Sequence, residues 1–329
     1  MTNSQKSKYS NPFTATFNGI VNLFRKSTPV GELNDDDRID GKVCLVTGAN
    51  SGLGFAVTQQ LVERGSKVIM ACRSGIPEAG ERIKALTGSD QVEMIRVDLS
   101  DLNSIRAFVE ELKSRNIKLD IVVDNAGMVP SGSRKTKEGL DEMFMVNYLA
   151  KFILINELLS ADLFNTYQST PRIIYVSSES HRSGDNIDFE KFGEFEKYTM
   201  SKVIALYGYY KLHLNTLAAE LSHRLNPNGQ INYSVHSLCP GAVNTNIARE
   251  SPKVFIPLLK VIFGLFFLRP AKAAFPVIYL ACSKDVEGKS DYYLHMKAKK
   301  DPDERSMDRE VGGKLWGKSE KLLKGLMQT

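Results

Sequence analysis

The feature that most constrains this chain is a glycine-rich stretch, Thr47 to Gly54, which follows a short apolar segment at 43–46. It leads into a helical pattern that places Leu53, Val57 and Leu61 on one face. Glycines let a backbone approach a ligand closely, and a helix N-terminus offers free N–H groups and a partial positive charge. A strand, a glycine turn and a helix in this order predict a pyrophosphate site. Its expected residues are Gly48, Asn50, Ser51, Gly52, Leu53 and Gly54.

Composition narrows the class of protein. Of the 329 residues, 42% are hydrophobic and 25% are charged, which is ordinary for a globular chain with a sizeable core. The net charge of +5 is modest and the basic residues are spread out, so nucleic acid is not indicated as a partner. The four cysteines lie far apart, without a C-x-x-C pair or a His/Cys cluster. We therefore expect no metal site, no disulfide framework and a reducing compartment.

The region from 40 to 300 alternates short β-branched runs with helical segments, which is typical of a parallel sheet wrapped by helices. The apolar runs are nearly continuous, as in strands that are buried on both faces. We predict an α/β fold, a doubly wound parallel sheet of the Rossmann type, in a single domain with an apolar C-terminal segment. Strands are predicted at 43–47, 67–71, 92–97, 121–124, 172–177 and 231–238, and helices at about 53–64, 76–86, 101–115, 138–160 and 198–225.

Residues 1–39 form an N-terminal extension for which the sequence leaves several interpretations open. The extension lacks the continuous apolar core of a signal peptide. Apolar residues between 13 and 24 repeat at helical spacing, with basic residues on either side. This pattern fits an interfacial membrane helix, an organelle-targeting segment, or a stripe that docks on the domain or is partly disordered. The acidic run at 35–37 is expected to be a solvated linker.

Residues 254–268 are strongly apolar, but Pro257, Lys260 and Gly264 interrupt them. A membrane span needs about 20 apolar residues, so this segment is too short to cross a bilayer. It fits a lid over an apolar substrate pocket, a membrane-dipping segment, a dimer contact or a plain core helix. We expect a substrate lid at about 246–270 that also touches a membrane. The remaining C-terminal region, 301–329, is expected to form a basic amphipathic helix.

The end of the second predicted strand indicates which dinucleotide would bind. An acidic residue at this position in dinucleotide sites accepts hydrogen bonds from the adenosine ribose and disfavours a 2′-phosphate. Here Cys72 stands at the expected position and Arg73 follows it. A guanidinium can pair bidentately with a phosphate, so Arg73 favours NADP(H) over NAD(H) as the cofactor.

A Y-x-x-x-K pattern, from Tyr198 to Lys202, opens the longest predicted helix. The i, i+4 spacing would place the phenol and the ammonium on the same face, one turn apart. The ordinary pKa of tyrosine is near 10, and lowering it by about 3 units requires roughly 4 kcal/mol, which Lys202 and an oxidised nicotinamide would supply. Ser178 ends the preceding strand and would donate to the substrate oxygen beside Tyr198. We predict Ser178, Tyr198 and Lys202 as catalytic, with Tyr198 and Lys202 also touching the cofactor.

These motifs, T-G-x-x-x-G-x-G at 47–54 among them, resemble the short-chain dehydrogenase/reductase family in order and spacing from 47 to 245. The resemblance implies that Asp98 and Leu99 hold the adenine, and that Asn147 is a catalytic residue that holds a water for a proton relay through Lys202. Asp124 departs from the family's N-N-A-G motif, since it loses the donor of the first Asn. The further cofactor contacts that the resemblance implies are Asn125, Ala126, Gly127, Pro240, Gly241, Val243 and Thr245.

Within the family, A-N-S-G-L-G, M-A-C-R and the apolar segment after P-G-x-V-x-T most resemble the retinol dehydrogenase-like branch. This resemblance implies NADP(H)-dependent hydride transfer to or from a carbonyl or alcohol on an apolar substrate, namely a retinoid, a steroid or a lipid-derived aldehyde or ketone. The alternatives are a protochlorophyllide reductase-like enzyme and a non-catalytic NADP(H)-binding scaffold. The first usually has a long insertion before the tyrosine, and only about twenty residues separate Ser178 from Tyr198.

The same resemblance implies a location and an assembly. We expect peripheral contact with a cytosol-facing membrane surface, of the endoplasmic reticulum or a lipid droplet, with a soluble cytoplasmic protein as the alternative. Relatives pair through the helices that correspond to about 101–115 and 198–225, so a homodimer is expected if the apolar segment does not serve a membrane instead.

Overall fold

The computed structural model describes residues 27–167, 169–243 and 268–328. Its strands are β1 (Thr28–Pro29), β2 (Val43–Thr47), β3 (Lys67–Cys72), β4 (Val92–Arg96), β5 (Ile121–Asp124), β6 (Arg172–Val176), β7 (Ser234–Cys239), β8 (Tyr293–His295) and β9 (Ala298–Lys300). Its helices are α1 (Gly52–Glu63), α2 (Glu78–Thr87), α3 (Leu102–Ser114), α4 (Glu142–Ser160), α5 (Met200–Leu225), α6 (Pro270–Ala273), α7 (Phe275–Cys282) and α8 (Arg309–Leu326).

The described strands form one sheet in the order β1-β9-β8-β7-β6-β5-β2-β3-β4. The strands from β8 to β4 are parallel, and β9 and β1 pair antiparallel at one edge. The predicted doubly wound Rossmann sheet in a single domain is therefore confirmed, with an antiparallel edge added. The strand order reverses between β2 and β5, and ligands of such sheets bind in the crevice at the carboxyl ends of these strands.

The six predicted strands are present, with ends shifted by at most three residues. The largest shift is at β7, which begins at Ser234 because Asn226 Oδ1 accepts hydrogen bonds from the backbone N–H groups of Asn232 and Tyr233, at 2.8 and 3.0 Å. These bonds shape a turn where the sequence pattern still predicts a strand. The pattern misses β1, β8 and β9, because each spans only two or three residues and shows no apolar run.

Helices cover both faces of the sheet. On one face α3, α4, α5 and α8 bury a large cluster, in which the ring centroids of Phe152 and Trp316 lie 5.0 Å apart. On the other face α1, α2 and α7 pack through residues such as Leu61 and Ile278. By length and composition α4 could cross a membrane, but 72% of its apolar stretch is buried inside the fold. It is the core helix that brings Asn147 to the carboxyl end of the sheet.

Parts of the N-terminal and C-terminal predictions fall outside the described residues. These parts are the apolar pattern at 13–24 and nearly all of the lid predicted at 246–270. At the end of the lid region, Leu268 N donates to Ala242 O at 2.9 Å and α6 begins at Pro270. Within the region 301–329 the structure has α8.

The prediction of a solvated linker at 35–37 is wrong for Asp37, which is buried. Its Oδ2 accepts from Asn34 N at 2.8 Å and its Oδ1 from Lys284 N at 3.3 Å. A short polar side chain that closes a turn in this way is part of the fold, and charge alone does not reveal it. Asp37 ties the N-terminal region to the segment that follows α7.

Candidate active site

The glycine turn between β2 and α1 depends on close approaches that only glycine permits. Gly48 and Gly52 have φ angles of +63° and +56°, in the left-handed region. A Cβ on Gly54 would lie 2.4 Å from Gly48 O, so any side chain there would displace the turn. Asn125 Nδ2 donates to Thr47 O at 2.9 Å, which joins the turn to the end of β5. The turn leaves the N-terminal end of α1 facing the cleft.

A cleft of about 390 Å³ runs along the carboxyl ends of the parallel strands, from the glycine turn to the end of β7. Most of the predicted cofactor contacts line it, and their binding of a cofactor stays a prediction. Thr245 lies outside the described residues. The predicted contacts along the cleft are Gly48, Asn50, Ser51, Gly52, Leu53, Gly54, Arg73, Asp98, Leu99, Asn125, Ala126, Gly127, Pro240, Gly241 and Val243.

Tyr198 and Lys202 do not line this cleft, so their predicted place in the site is wrong. The physical reason is where α5 starts. Tyr198 precedes the helix, because Thr199 is its N-cap in an extended conformation, and the i, i+4 argument therefore does not apply. Tyr198 is buried beside Asp141, and both burial and this carboxylate raise its pKa. Lys202 is exposed, with its Nζ 3.6 Å from Glu196 Oε1.

A second Y-x-x-x-K pattern, Tyr207 to Lys211, lies nine residues further along and does line the cleft. Both residues are inside α5, so here the spacing does place them on one face, and Lys211 Nζ lies 5.5 Å from the centre of the Tyr207 ring. Lys211 is buried and its Nζ donates to Val176 O at 2.8 Å. The sequence contained two signals for this choice, the repeated spacing and a Thr at 199 suited to start a helix.

Two glycines allow α5 to approach the segment that carries Ser178. A Cβ on Gly208 would lie 2.5 Å from Ser180 O, and one on Gly184 would lie 2.8 Å from Tyr209 Cα. The helix therefore packs directly on the 3₁₀ turn Glu179–Ser183, which follows β6. This contact brings Tyr207 to the same cleft as Ser178.

Ser178 lines the cleft, as its position after β6 predicts, and hydrogen bonds from the following 3₁₀ turn fix its position. Its Oγ accepts a hydrogen bond from Ser180 N at 3.2 Å. The buried ring of His181 contacts two backbone groups. Its Nδ1 lies 2.7 Å from Ser178 O, and its Nε2 accepts a hydrogen bond from Asp303 N at 3.0 Å. Because Nε2 accepts, the ring is neutral, and burial lowers the pKa of His181 to about 4. His181 belongs to no sequence pattern that predicts a site, since it occurs as a single histidine after β6.

Asn147 is fully buried in α4, in a π-helical turn at Met145–Leu149. Its Oδ1 accepts from Met128 N at 2.9 Å and its Nδ2 donates to Met128 O at 2.8 Å, so it holds the backbone beyond β5. A Cβ on Gly127 would lie 3.1 Å from Asn147 Oδ1 and 3.7 Å from Lys211 Nζ. Asn147 therefore lies near Lys211 and does not itself line the cleft, and its predicted role in a proton relay stays a prediction.

The comparison with protein families decides the identity. The family model described as "short chain dehydrogenase" matches residues 42–254. The chain belongs to this family. It is also 36% identical over 304 residues to "Retinol dehydrogenase 14" of Mus musculus, which covers 88% of both chains. It is 32% identical over 327 residues to "Retinol dehydrogenase 13" of Homo sapiens, which covers 96% of both.

Solved structures agree with this short-chain dehydrogenase in fold. A protein from Mycobacterium paratuberculosis is 27% identical, with a TM-score of 0.68 over 89% of this chain and 98% of that one. The "Pseudomonas aeruginosa RhlG/NADP active-site complex" is 21% identical, with a TM-score of 0.61 over 80% and 98%. The family and its retinol dehydrogenase-like branch make this protein an oxidoreductase that acts on CH–OH and C=O groups.

The charged side chains that line the cleft of this short-chain dehydrogenase are Arg73 and Asp98 at one end, Lys211 at the other, and Arg134. At one end Arg73 is largely exposed, with its Nη1 3.9 Å from Asp98 Oδ2. At the other end burial raises the pKa of Tyr207, while burial and the nearby Lys151 charge lower the pKa of Lys211 to about 7. Each of these two shifts favours the neutral form of its group; a bound anion would favour the ammonium form of Lys211, and a bound cation would favour the phenolate form of Tyr207.

Proposed function

We propose that this enzyme transfers a hydride reversibly between NADP(H) and a carbonyl or alcohol carbon on an apolar substrate, of the retinoid, steroid or lipid-derived aldehyde or ketone class. The observation that carries the proposal is the convergence of Ser178, Tyr207 and Lys211 on one cleft that begins at the glycine turn. A phenol, an alcohol and an ammonium together can protonate and stabilise an alkoxide as it forms.

The residues have distinct roles in this proposal. The nicotinamide supplies the hydride in the reducing direction. Tyr207 donates a proton to the alkoxide oxygen, and Ser178 donates a hydrogen bond to the same oxygen. Lys211 holds the ribose and lowers the pKa of Tyr207, which burial raises. Asn147 holds the wall behind Lys211 in place through its two bonds to Met128.

The turn and the strand ends fit a dinucleotide. A Cβ at position 48 would lie 3.0 Å from Ala126 Cα and one at position 54 would lie 2.4 Å from Gly48 O, so glycine at both positions keeps the tight turn at which a pyrophosphate would approach the backbone. Beside the adenosine end the cleft presents Cys72 and Arg73, without an acid at the end of β3. A guanidinium there would pair with a 2′-phosphate, which supports NADP(H).

An apolar substrate is supported by the cleft wall and by the relatives. The wall of the cleft that Tyr207 lines contains Met128, Val129, Val146 and Val243. Two of its relatives, compared above, are retinol dehydrogenases by name. Contact with these apolar side chains would stabilise a bound hydrocarbon chain by about 25 cal/mol for each Å² of apolar surface removed from water.

The test is NADPH oxidation with a panel of retinoid, steroid and fatty aldehydes and ketones, measured for two matched variants. Tyr207→Phe is expected to lose turnover by a factor of at least about 100, because it removes the acid. Tyr198→Phe deletes the same atom outside the cleft and should retain turnover within a factor of about 3. Equal activity of Tyr207→Phe and wild type would overturn the proposal.

The same assay separates the alternatives. A non-catalytic scaffold would bind NADPH and reduce no member of the panel, and a protochlorophyllide reductase-like enzyme would require light. The membrane contact and the homodimer also belong to this proposal. Sedimentation with vesicles and light scattering of the purified chain measure them independently of turnover.

A further inference from the structure

A buried ion pair lies directly below the cleft. The Lys151 side chain has no exposed surface and that of Asp124 is 3% exposed. Lys151 Nζ donates to Asp124 Oδ1 at 2.7 Å and to Ala126 O at 2.7 Å. An ammonium is costly to bury, so such a pair is retained only where its bonds are well formed. Asp124 is also the position at which this chain departs from the family's N-N-A-G motif.

The pair holds the floor loop, which we define as residues 124–128. Thr47 Oγ1 donates to Asp124 Oδ1 at 2.8 Å and accepts from Ala126 N at 2.9 Å, so the end of β2 joins the same network. Asn147 lies one turn before Lys151 in α4 and binds the backbone of Met128. Helix α4 therefore forms hydrogen bonds with the floor loop near both ends of the loop. Residues 125–128 of the loop line the cleft.

The pair also changes the charge around Lys211. The groups that act on Lys211 are Lys151 from α4, Asp124 from β5 and Cys239 from β7, with the Tyr207 ring on its own helix. After burial, the Lys151 charge is the larger influence that lowers the pKa of Lys211, and Asp124 opposes it. Lys151 is thus paired with Asp124, and the charges of both groups act on Lys211.

We propose that Lys151 is a positioning residue for hydride transfer, which clamps the floor loop through Asp124 and adds a second buried ammonium to that of Lys211. This inference rests on the proposed function, because it assigns Lys151 an effect on the groups that carry out that reaction. Lys151 itself does not line the cleft, so it would not touch a bound substrate.

The experiment compares Lys151→Met, the charge-neutral double variant Asp124→Asn/Lys151→Met, and Lys42→Met. Lys42 pairs with Asp120 at 3.1 Å near the other end of β5, so it is a matched control for a lost lysine–aspartate pair. The readouts are thermal stability, NADPH affinity and the pH profile of kcat/KM. The double variant keeps the test valid if Lys151→Met alone, with its unpaired carboxylate, does not fold.

Both Lys151 variants are expected to lower kcat/KM about 10–100-fold, since a loosened floor loop misplaces the reacting groups. In Lys151→Met the alkaline limb of the profile should move up by about one pH unit, because Lys211 loses a like charge. In the double variant it should move in the same direction by less. Lys42→Met should keep the wild-type profile.

A wild-type profile with kcat/KM within about twofold in the double variant would overturn the inference, and so would lost folding in both variants, which assigns the pair to stability alone. Tyr207→Phe, measured in parallel, distinguishes a failure of the proposed function from a failure of the role proposed for Lys151. Full turnover in Tyr207→Phe removes the proposed function. An inactive Tyr207→Phe beside unaffected Lys151 variants removes only this inference.

Discussion

Lys211 Nζ lies 5.5 Å from the centre of the Tyr207 ring, and both side chains reach the cleft from neighbouring turns of α5. Nine residues earlier, Tyr198 and Lys202 have the same sequence spacing and do not meet at the cleft. The chain therefore contains its own control for the proposed chemistry.

The lysines give the first prediction. Lys211→Met should lower kcat/KM by about 100-fold or more, since it removes the ammonium that would favour the tyrosinate and hold the ribose. Lys202→Met removes an exposed ammonium whose partner is Glu196, and should leave both kcat/KM and stability close to wild type. Steady-state kinetics with NADPH and an apolar aldehyde provide the measurement. Equal losses in both variants would contradict the assignment.

The cofactor preference gives the second prediction. Arg73→Ala should weaken NADPH binding about 10–100-fold, which corresponds to about 1.4–2.7 kcal/mol for a lost charge-assisted hydrogen bond, and should change NADH binding little. Arg96, which pairs in register with Cys72 on the neighbouring strand and does not line the cleft, is the matched control. Titration of the intrinsic fluorescence with each cofactor measures both affinities. An unchanged ratio of NADPH to NADH affinity in Arg73→Ala would exclude Arg73 as the discriminating residue.

The close packing of α5 gives the third prediction. Gly208→Ala places a Cβ 2.5 Å from Ser180 O, and should destabilise the fold by about 1–3 kcal/mol while it moves Tyr207 away from Ser178. Among the residues that the structure describes, no atom lies within 4 Å of such a Cβ on Gly317 in α8, so Gly317→Ala should be neutral or stabilising by up to about 1 kcal/mol. Urea denaturation compares the free energies of unfolding, and a stable, fully active Gly208→Ala would refute the packing argument.

The buried histidine below Ser178 gives the fourth prediction. Burial lowers the pKa of His181 from its ordinary 6.5 to about 4. The folded state therefore binds this proton less readily than the unfolded state, so the stability contribution is complete above pH 6.5 and is lost as the pH falls toward 4. For this one group the loss by pH 5 is about 2 kcal/mol.

The measurement is the melting temperature of wild type and His181→Gln between pH 7.5 and 5. His213 and His236 are also buried with lowered pKa values, so wild type and variant should both lose stability on acidification. The variant should lose less, because one such group has been removed. Parallel pH dependence of the two proteins would contradict the role assigned to the His181 ring.

Local sequence alone determined much of this protein. The steric limits on backbone conformation act over a few residues, so the glycines at 48, 52 and 54 predict the turn. The apolar runs of the parallel strands likewise predict the Rossmann sheet. The end of β6 also brings Ser178 to the cleft as its sequence position predicts.

Only the tertiary structure decided which tyrosine and lysine reach the cleft. The difference depends on where α5 begins and on the contact between Gly208 and Ser180, which lie far apart in sequence. The same holds for Lys151 and Asp124, whose charges meet only because α4 packs against the end of β5. Spacing along a chain predicts a shared face only within a helix, and contacts between elements are set by packing that no local pattern encodes.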